Sequence, residues 1–132
     1  NFKFFDENIF LYLENDDFCK RLIDHNEEIY VVPKSKINHL GGKAVSQKFS
    51  EEVELSRNWH WIWSKFYFNR KHKGYFFALM NGLPTFFSAV LKYVLYLTIF
   101  NPKKSKIYLH RAMGYLNAAI GRKSFFRPNI KI

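Results

Sequence analysis

The chain has 132 residues, a formal net charge of +10 and a 20% aromatic content. This length suits one ordinary domain that buries its own core. The single cysteine, Cys19, excludes an internal disulfide framework.

Charge is divided unevenly along the chain. All eleven acidic residues lie in the first 54 residues, where the net charge is −4, and the remainder carries fourteen Lys and Arg without one acid. That remainder also contains 18 of the 26 aromatic residues. Two chemically different parts therefore meet near residue 55, and we expect residues 1–50 and 51–132 to form separate units.

The first predicted element contains an acidic stretch, YLENDDF, in which Glu14, Asp16 and Asp17 lie among apolar residues. Helical spacing predicts a helix at 16–26 with Asn15 or Asp16 as its N-cap, because carboxylates in a first turn favour the positive end of the helix dipole. The alternative is a catalytic base, which also needs carboxylates fixed at a helix start beside a cleft. Spacing alone favours the capping role.

Two extended segments follow this helix. The sequence EIYVVP at 28–33 has the β-branched and aromatic residues of a strand and ends at a proline. KINHLGG at 36–42 is predicted as a second extended piece that ends at Gly41 and Gly42. The polar residues 43–50 are predicted to form a hinge or lid.

The clearest helix is predicted at 51–72, with acids in its first turn and bases in its last turn. One of its faces follows the 3.6-residue period and consists of Leu55, Trp59, Ile62, Trp63 and Phe66. Trp61, Tyr67 and Phe68 lie on other faces, so we expect this helix to contact apolar groups on a second side.

A long apolar run occupies residues 75–100, where Lys92 is the only charged residue, and the basic sequences RKHK and PKKSK flank it. Basic and aromatic residues at the ends of an apolar segment are typical of a membrane interface. Nucleic-acid binding instead requires basic and stacking residues on one polar platform. We therefore expect an anionic membrane surface, and no nucleic acid, as a partner.

The middle of this run contains Asn81, Gly82 and Pro84. These residues predict two helices, at about 75–81 and 84–100, that lie in the interface or dip into it without crossing. Ordinary core helices and a true membrane span are the alternatives.

A last helix is predicted at about 103–120, with Gly121 as its C-cap.

Three blocks, in this order, resemble the C-terminal part of bacterial family 2 glycosyltransferases of the polysaccharide or rhamnosyltransferase type: FDENIFLYLENDDFCKRL, IYVVPKSKINHLGG and RNWHWIWSKFYFNRKHKG. These are inverting enzymes with the GT-A fold. The resemblance implies an α/β fragment that is mostly α in this chain. Residues 1–50 would be the C-terminal part of a Rossmann-like GT-A catalytic domain, and 51–132 amphipathic, interfacial helices that associate with a membrane.

The first block of that family has a Glu-Asp-x-Asp motif that supplies the general base, and its positions match Glu14, Asn15, Asp16 and Asp17. Asn15 stands where the family has the aspartate thought to deprotonate the acceptor, and an amide cannot accept that proton. The resemblance therefore implies catalysis by Glu14 first, then by Asp17 or Asp16, with Asn15 at the substrate. Otherwise the protein is a variant with altered activity.

The second block implies that His39 completes a site for a divalent metal, Mn²⁺ or Mg²⁺, that holds the donor diphosphate. Gly41 and Gly42 would allow the backbone to approach the phosphates. The alternative is a structural histidine before a glycine turn. No spaced Asp-x-Asp motif is present in the chain, so we expect the metal to be bound mainly by a preceding half of a longer protein.

The third block implies substrate contacts from four residues, Arg57, Trp59, His60 and Trp63. Tryptophan faces suit sugar rings and arginine suits phosphate. The alternative is aromatic packing against the catalytic domain and lipid.

The function implied is transfer of a sugar from a nucleotide-sugar donor to a glycan or lipid-linked acceptor in cell-surface polysaccharide synthesis. The expected location is the cytoplasmic face of the bacterial inner membrane, and the isolated 132 residues are expected to be inactive. The alternative is a non-catalytic membrane-binding or scaffolding module.

Overall fold

The computed structural model describes residues 4–38 and 46–128. Within these ranges it has four α-helices and no strand: α1 Glu14–Asp24, α2 Ser50–Lys73, α3 Tyr75–Thr98 and α4 Pro102–Ala119, with a 3₁₀ turn at Gln47–Phe49 before α2. Helices α2, α3 and α4 pack against one another as a three-helix bundle. The prediction of a mostly helical chain is therefore confirmed.

Helix α2 is the centre of the bundle, and its predicted bounds are confirmed to within one residue at each end. All five residues of the predicted apolar face are buried, with Trp59 only 1% exposed. Four of them, all except Leu55, form one core cluster with Ala78 of α3 and with Tyr115 and Ala118 of α4. The 3.6-residue period thus identified the core face of this helix correctly.

The second side of α2 contacts the segment that precedes α1. The Ser64 hydroxyl donates a hydrogen bond of 2.8 Å to the Leu11 carbonyl. The Tyr67 hydroxyl donates one of 2.9 Å to the Asp6 carboxylate. The polar and aromatic groups on this side of α2 therefore hold the first residues of the chain.

Helix α1 begins at Glu14, two residues earlier than predicted, with Leu13 as its N-cap residue and no side-chain cap. The Leu13 carbonyl accepts the Asp17 N–H at 2.8 Å, which makes Glu14 the first helical residue. The prediction of Asn15 or Asp16 as N-cap is wrong. These two exposed residues lie inside the first turn, where their side chains are not placed to cap it.

The predicted strand at 28–33 is wrong, and so is the described part of the extended piece at 36–42. Residues 28–38 have no strand hydrogen bonding, and all of them are exposed. A strand needs a neighbour for its N–H and C=O groups, and no described segment supplies one. The remaining predictions here concern Gly41, Gly42 and most of the lid, which lie outside the described residues.

The two helices predicted on either side of Pro84 are one continuous helix, α3. Packing explains the continuity. A Cβ on Gly82 would lie 2.3 Å from the Tyr115 ring, so this glycine serves close contact with α4. The Tyr115 hydroxyl also donates to the Leu79 carbonyl at 2.8 Å, in the turn before the proline. Contacts with α4 thus hold the helix where its own hydrogen bonding is interrupted.

Most of α3 faces away from the bundle, with only Ala78 and Ala89 of its 24 residues buried. Phe76 is 74% exposed, Phe87 62% and Leu91 71%. By length and composition, α3 is the one described helix that passes the test for a membrane span. Soluble monomers rarely expose so many neighbouring apolar side chains along one helix.

Helix α4 matches its predicted bounds to within one residue at each end. Gly121 follows its C-cap residue with φ +77° and donates its N–H to the Ala118 carbonyl at 3.1 Å. The Arg122 N–H donates to the Asn117 carbonyl at 2.9 Å, which completes a Schellman motif. The prediction of Gly121 as the C-cap is therefore wrong by one residue, since Ile120 is the C-cap and Gly121 is the left-handed residue that follows it.

The crossing of α2 and α4 depends on a glycine. A Cβ on Gly114 would lie 2.4 Å from the Trp59 carbonyl oxygen, which is a backbone atom that cannot rotate away. We predict that Gly114→Ala lowers the free energy of unfolding by about 2 kcal/mol, although alanine favours helix by about 1 kcal/mol over glycine. Urea denaturation followed by tryptophan fluorescence measures this, since all three tryptophans lie on α2.

The control for this prediction is Met113→Ala, which changes a 42% exposed neighbour on α4 and should stay within about 0.5 kcal/mol of the parent. Equal stability of Gly114→Ala and the parent would contradict the close approach.

Candidate functional site

The first turn of α1 carries the four residues of the acidic stretch at different depths. Asn15 and Asp16 are exposed, Glu14 is half-buried and Asp17 is completely buried. Helical geometry therefore buries the Asp17 carboxylate and leaves the side chains of Asn15 and Asp16 exposed.

Asp17 is surrounded by three basic side chains. Lys71 Nζ donates to its Oδ2 at 2.9 Å and lies 2.7 Å from its Oδ1. His72 Nε2 donates to Oδ1 at 2.8 Å, and Arg21 Nε donates to Oδ2 at 2.9 Å. Burial acts to raise the pKa of Asp17, but the hydrogen bonds from Lys71, His72 and Arg21 outweigh it and hold this pKa below its ordinary range. In this chain Asp17 is an ionised anchor between α1 and α2, and its catalytic role stays a prediction.

A second carboxylate joins this cluster. Asp6 accepts hydrogen bonds from Lys71 at 2.8 Å and from the Tyr67 hydroxyl at 2.9 Å. Despite burial, the bond from Lys71 and others hold the pKa of Asp6 well below its usual value. Burial and the Asp6 carboxylate raise the pKa of Tyr67 to about 12. Lys71 thus bridges two carboxylates and fixes the start of the chain to α2.

The backbone that leads into α1 has an uncommon conformation. Tyr12 and Leu13 have φ values of +69° and +67°, a region that side-chain-bearing residues rarely adopt. Such residues cost about 1–3 kcal/mol each and persist only where the surroundings fix them. Two contacts hold this segment: the hydrogen bond from Ser64 to the Leu11 carbonyl, and the packing of the Tyr12 ring against Trp61. This bend brings the chain abruptly into the helix at Glu14.

One oxygen of Glu14 lacks a partner. Among buried side-chain oxygens in the described ranges, only Glu14 Oε2 has no hydrogen bond. An unpaired buried acceptor is costly, and such groups in folded proteins require an explanation. The described residues supply no hydrogen-bond donor to this buried oxygen.

An open cleft of about 370 Å³ adjoins the bend before α1, and its walls are Tyr12, Glu54, Arg57, Asn58, Trp61 and Arg111. The Tyr12 and Trp61 rings meet edge to face at 5.4 Å, and Trp61 is 45% exposed. Asn58 Oδ1 accepts a 2.7 Å hydrogen bond from Arg111 Nε, which fixes the position of that guanidinium. The cleft combines an accessible aromatic edge with oriented polar groups.

Of the residues predicted to bind substrate from α2, the structure brings Arg57 to this cleft. Trp59 and Trp63 are 1% and 3% exposed, and their rings stack at 6.3 Å inside the core. They do not line the cleft. Substrate contact by these two tryptophans stays a prediction.

His60 is also buried, and it joins α2 to the residues after α4. Its Nε2 donates to the Phe126 carbonyl at 2.8 Å, and its Nδ1 faces the Ser124 hydroxyl at 3.0 Å as an acceptor. Burial lowers the pKa of His60, which favours this neutral tautomer. Both ring nitrogens are occupied, so His60 has no free polar atom to offer a substrate.

The metal prediction receives no support from the described residues. They contain no group of three or more His, Cys, Asp and Glu side chains that could hold a metal ion. His39, Gly41 and Gly42 lie outside the described ranges.

Sequence reasoning missed the cleft residues Tyr12, Trp61 and Arg111. One signal was available, because Trp61 lies on the opposite face of α2 from Trp59 and Trp63, two residues from each. A tryptophan that does not face the core, such as Trp61, remains accessible to a ligand.

We predict that Asp17→Asn lowers the free energy of unfolding by about 3 kcal/mol at pH 7, because one buried and two partly buried donors lose their anionic partner. The pKa of Asp17 is lowered on folding from 3.8, so its contribution is complete above about pH 4. It is lost as the pH falls towards the lowered value. Urea denaturation at a series of pH values should show a flatter acid limb in the variant.

The matched control is Asp16→Asn, which removes the same charge one residue earlier at an exposed position. It should change the unfolding free energy by no more than about 0.5 kcal/mol. Equal effects of the two substitutions would show that Asp17 is not the anchor.

Comparison of the chain with protein-family models, with curated proteins and with solved structures yields no match. Its functional interpretation therefore rests on the residues described above and on the resemblance of its three sequence blocks.

Proposed function

We propose that this chain is the acceptor-side, C-terminal portion of an inverting glycosyltransferase. The enzyme transfers a sugar from a nucleotide-sugar donor to a glycan or lipid-linked acceptor in cell-surface polysaccharide synthesis. The single observation that carries the proposal is the unpartnered Glu14 Oε2. Glu14 follows Tyr12, a residue of the aromatic cleft, by two positions in the chain.

The proposed chemistry requires one base. The acceptor hydroxyl oxygen attacks the anomeric carbon of the donor, and Glu14 takes the hydroxyl proton. The bond from that carbon to the diphosphate oxygen breaks with inversion, and the diphosphate leaves with the electron pair. Asp17 is already bonded to three basic groups, so its proposed part is to hold the turn that positions Glu14.

The cleft beside this turn suits a sugar acceptor. The exposed Trp61 and the adjacent Tyr12 offer apolar ring surfaces for the C–H groups of a sugar. Arg57, Glu54 and Arg111 supply hydrogen-bonding groups for its hydroxyls or for an attached acidic group. The donor, with its divalent Mn²⁺ or Mg²⁺, would be held mainly by residues outside the described ranges.

The exposed face of α3 supports membrane association. Its apolar side chains lie between basic segments, and Lys73 and Lys92 approach the rings of Phe77 and Tyr108 at 4.7 and 5.4 Å. Such a helix binds an interface through its apolar face and anionic lipids through its bases. The proposed location is the cytoplasmic face of the bacterial inner membrane, where lipid-linked acceptors are accessible.

A second candidate is a non-catalytic membrane-binding module. It is favoured by Asn15, which stands where the resemblance expects the basic aspartate, and by the engagement of Asp17 in ion pairs. In that case the acidic residues in the first turn of α1 would have only a structural role.

We predict that Glu14→Gln abolishes turnover. The full-length protein should hydrolyse one member of a panel of nucleotide sugars in the presence of a divalent metal, and the variant should lose this activity by about 10²-fold or more. Glu27→Gln is the matched control, because it makes the same change at an exposed residue beyond α1. It should retain full activity.

The other outcomes of this experiment are decisive. Activity that survives in Glu14→Gln would assign the base to Asp16 or Asp17. If neither protein is active and neither binds a donor, the non-catalytic module is the correct interpretation.

We predict that Trp61→Ala raises the KM for the acceptor about tenfold, which corresponds to a stacking contact of about 1.4 kcal/mol. Hydrolysis of the donor in the absence of acceptor should not change, because the cleft does not contact the donor. Phe125→Ala truncates another exposed aromatic residue and should leave the KM unaltered. An unchanged acceptor KM in Trp61→Ala would exclude the cleft as the acceptor site.

A further inference from the structure

A cavity of about 220 Å³ lies between the C-terminal half of α2 and the turn that follows α4. Three basic residues line it, Arg70 from α2 and Arg122 with Lys123 from the turn. Its aromatic wall consists of Trp63 and Tyr67, whose rings stack at 5.1 Å with an angle of 11°. Neither the acidic stretch nor the aromatic cleft described above contributes to it.

Hydrogen bonds hold the walls of this cavity, and they do not use the charged groups of its basic residues. Trp63 Nε1 donates to the Arg122 carbonyl at 2.9 Å, which ties the turn to α2. The Schellman motif at Gly121 fixes the same turn from the side of α4. Arg70 reaches towards this turn, with Nη1 3.7 Å from the place that a Cβ on Gly121 would occupy.

The positive charge in this cavity is not neutralised by the residues that line it. No acid is among the described residues that form the walls. Arg122 Nη1 donates at 3.3 Å to Asn117 Oδ1, which is neutral. Asp6 contacts the Tyr67 hydroxyl but is itself paired with Lys71 at 2.8 Å. An anion with several oxygens therefore fits the cavity better than a neutral ligand.

The cavity also adjoins the start of the exposed apolar helix. Arg70 lies over the ring of Tyr75, the first residue of α3, at 6.0 Å. The Tyr75 hydroxyl donates to the Ala119 carbonyl at 3.3 Å, next to the cavity wall. Phe76, which follows, is 74% exposed. A ligand with an anionic head in the cavity would have apolar protein surface immediately beside it for a hydrocarbon chain.

We propose that this cavity binds the phosphate group of a membrane lipid, as a phosphomonoester or a diphosphate, with the lipid chain along α3. Arg70 and Arg122 supply planar donors that match phosphate oxygens, and Lys123 adds a third charge. The inference rests on the proposed function, because it names where a lipid-linked acceptor would be held. It also explains why three basic residues and no acid are found among the described residues that line this cavity.

The test compares binding of the full-length protein to two kinds of phosphatidylcholine vesicle. One contains phosphatidic acid, which exposes a phosphomonoester, and the other contains phosphatidylglycerol in an amount that gives the same surface charge. We expect at least about tenfold tighter binding to the phosphatidic acid vesicles. Arg70→Gln/Arg122→Gln should remove this preference, since each charged hydrogen bond to phosphate is worth about tenfold or more.

The charge-matched control is Lys104→Gln/Lys106→Gln, which removes two exposed basic residues at the opposite end of α4. It should weaken binding to both vesicles by the same factor and leave their ratio unchanged. A preference that survives in the double arginine variant overturns the proposal, and so does equal binding of the parent protein to both vesicles.

Soluble glycerol phosphate distinguishes a lipid from a free phosphate. We expect no saturable calorimetric binding of it below millimolar concentration, and binding as tight as that to the vesicles would overturn the lipid source. The vesicle measurements require no turnover, whereas donor hydrolysis requires no lipid. Failure of this inference and failure of the proposed glycosyltransferase activity are therefore distinguishable.

Discussion

The buried Asp17 carboxylate is the interaction on which the arrangement of the candidate site depends. It attaches α1 to the last turns of α2 through Lys71, His72 and Arg21. The bundle of α2, α3 and α4 has its own apolar core, whereas α1 reaches α2 through charged groups. A buried cluster of this kind specifies position strictly, because no displaced arrangement satisfies all of its donors. The placement of Glu14 relative to α2 therefore follows from this charged cluster together with the contacts of Leu11 and Tyr12 that fix the bend before α1.

Helices α2 and α4 could be predicted from sequence because several local signals agree. Periodicity and terminal charges indicate the bounds of α2, and Gly121 indicates the end of α4. Where a local signal conflicts with tertiary contact, the prediction failed. Gly82 and Pro84 together suggest a helix break, yet Gly82 provides room for the Tyr115 ring. Asn15 and Asp16 suggest caps, yet the bend held by Leu11 starts the helix earlier.

The candidate site shows the same division between local and distant information. The resemblance of the acidic stretch to a family motif, and not the order of its residues, made Glu14 the first candidate base, and this role stays a prediction. The sequence could not show whether Trp59 or Trp61 is the more accessible residue. Helical spacing places the two on different faces of α2 but does not indicate which face is buried. That depends on partners such as Phe126, whose carbonyl bonds to His60 from 66 residues away. No local pattern reports such a contact.

The turn between α3 and α4 has one further property. Its left-handed position is occupied by Phe100, with φ +52°, and not by glycine or asparagine. This conformation costs a residue with a side chain roughly 1–2 kcal/mol, and Phe100 is 92% exposed, so few contacts within the protein offset that cost. Hydrocarbon around the ring would lower its free energy without altering the backbone. The free-energy cost of this turn would therefore be smaller in an apolar medium than in water.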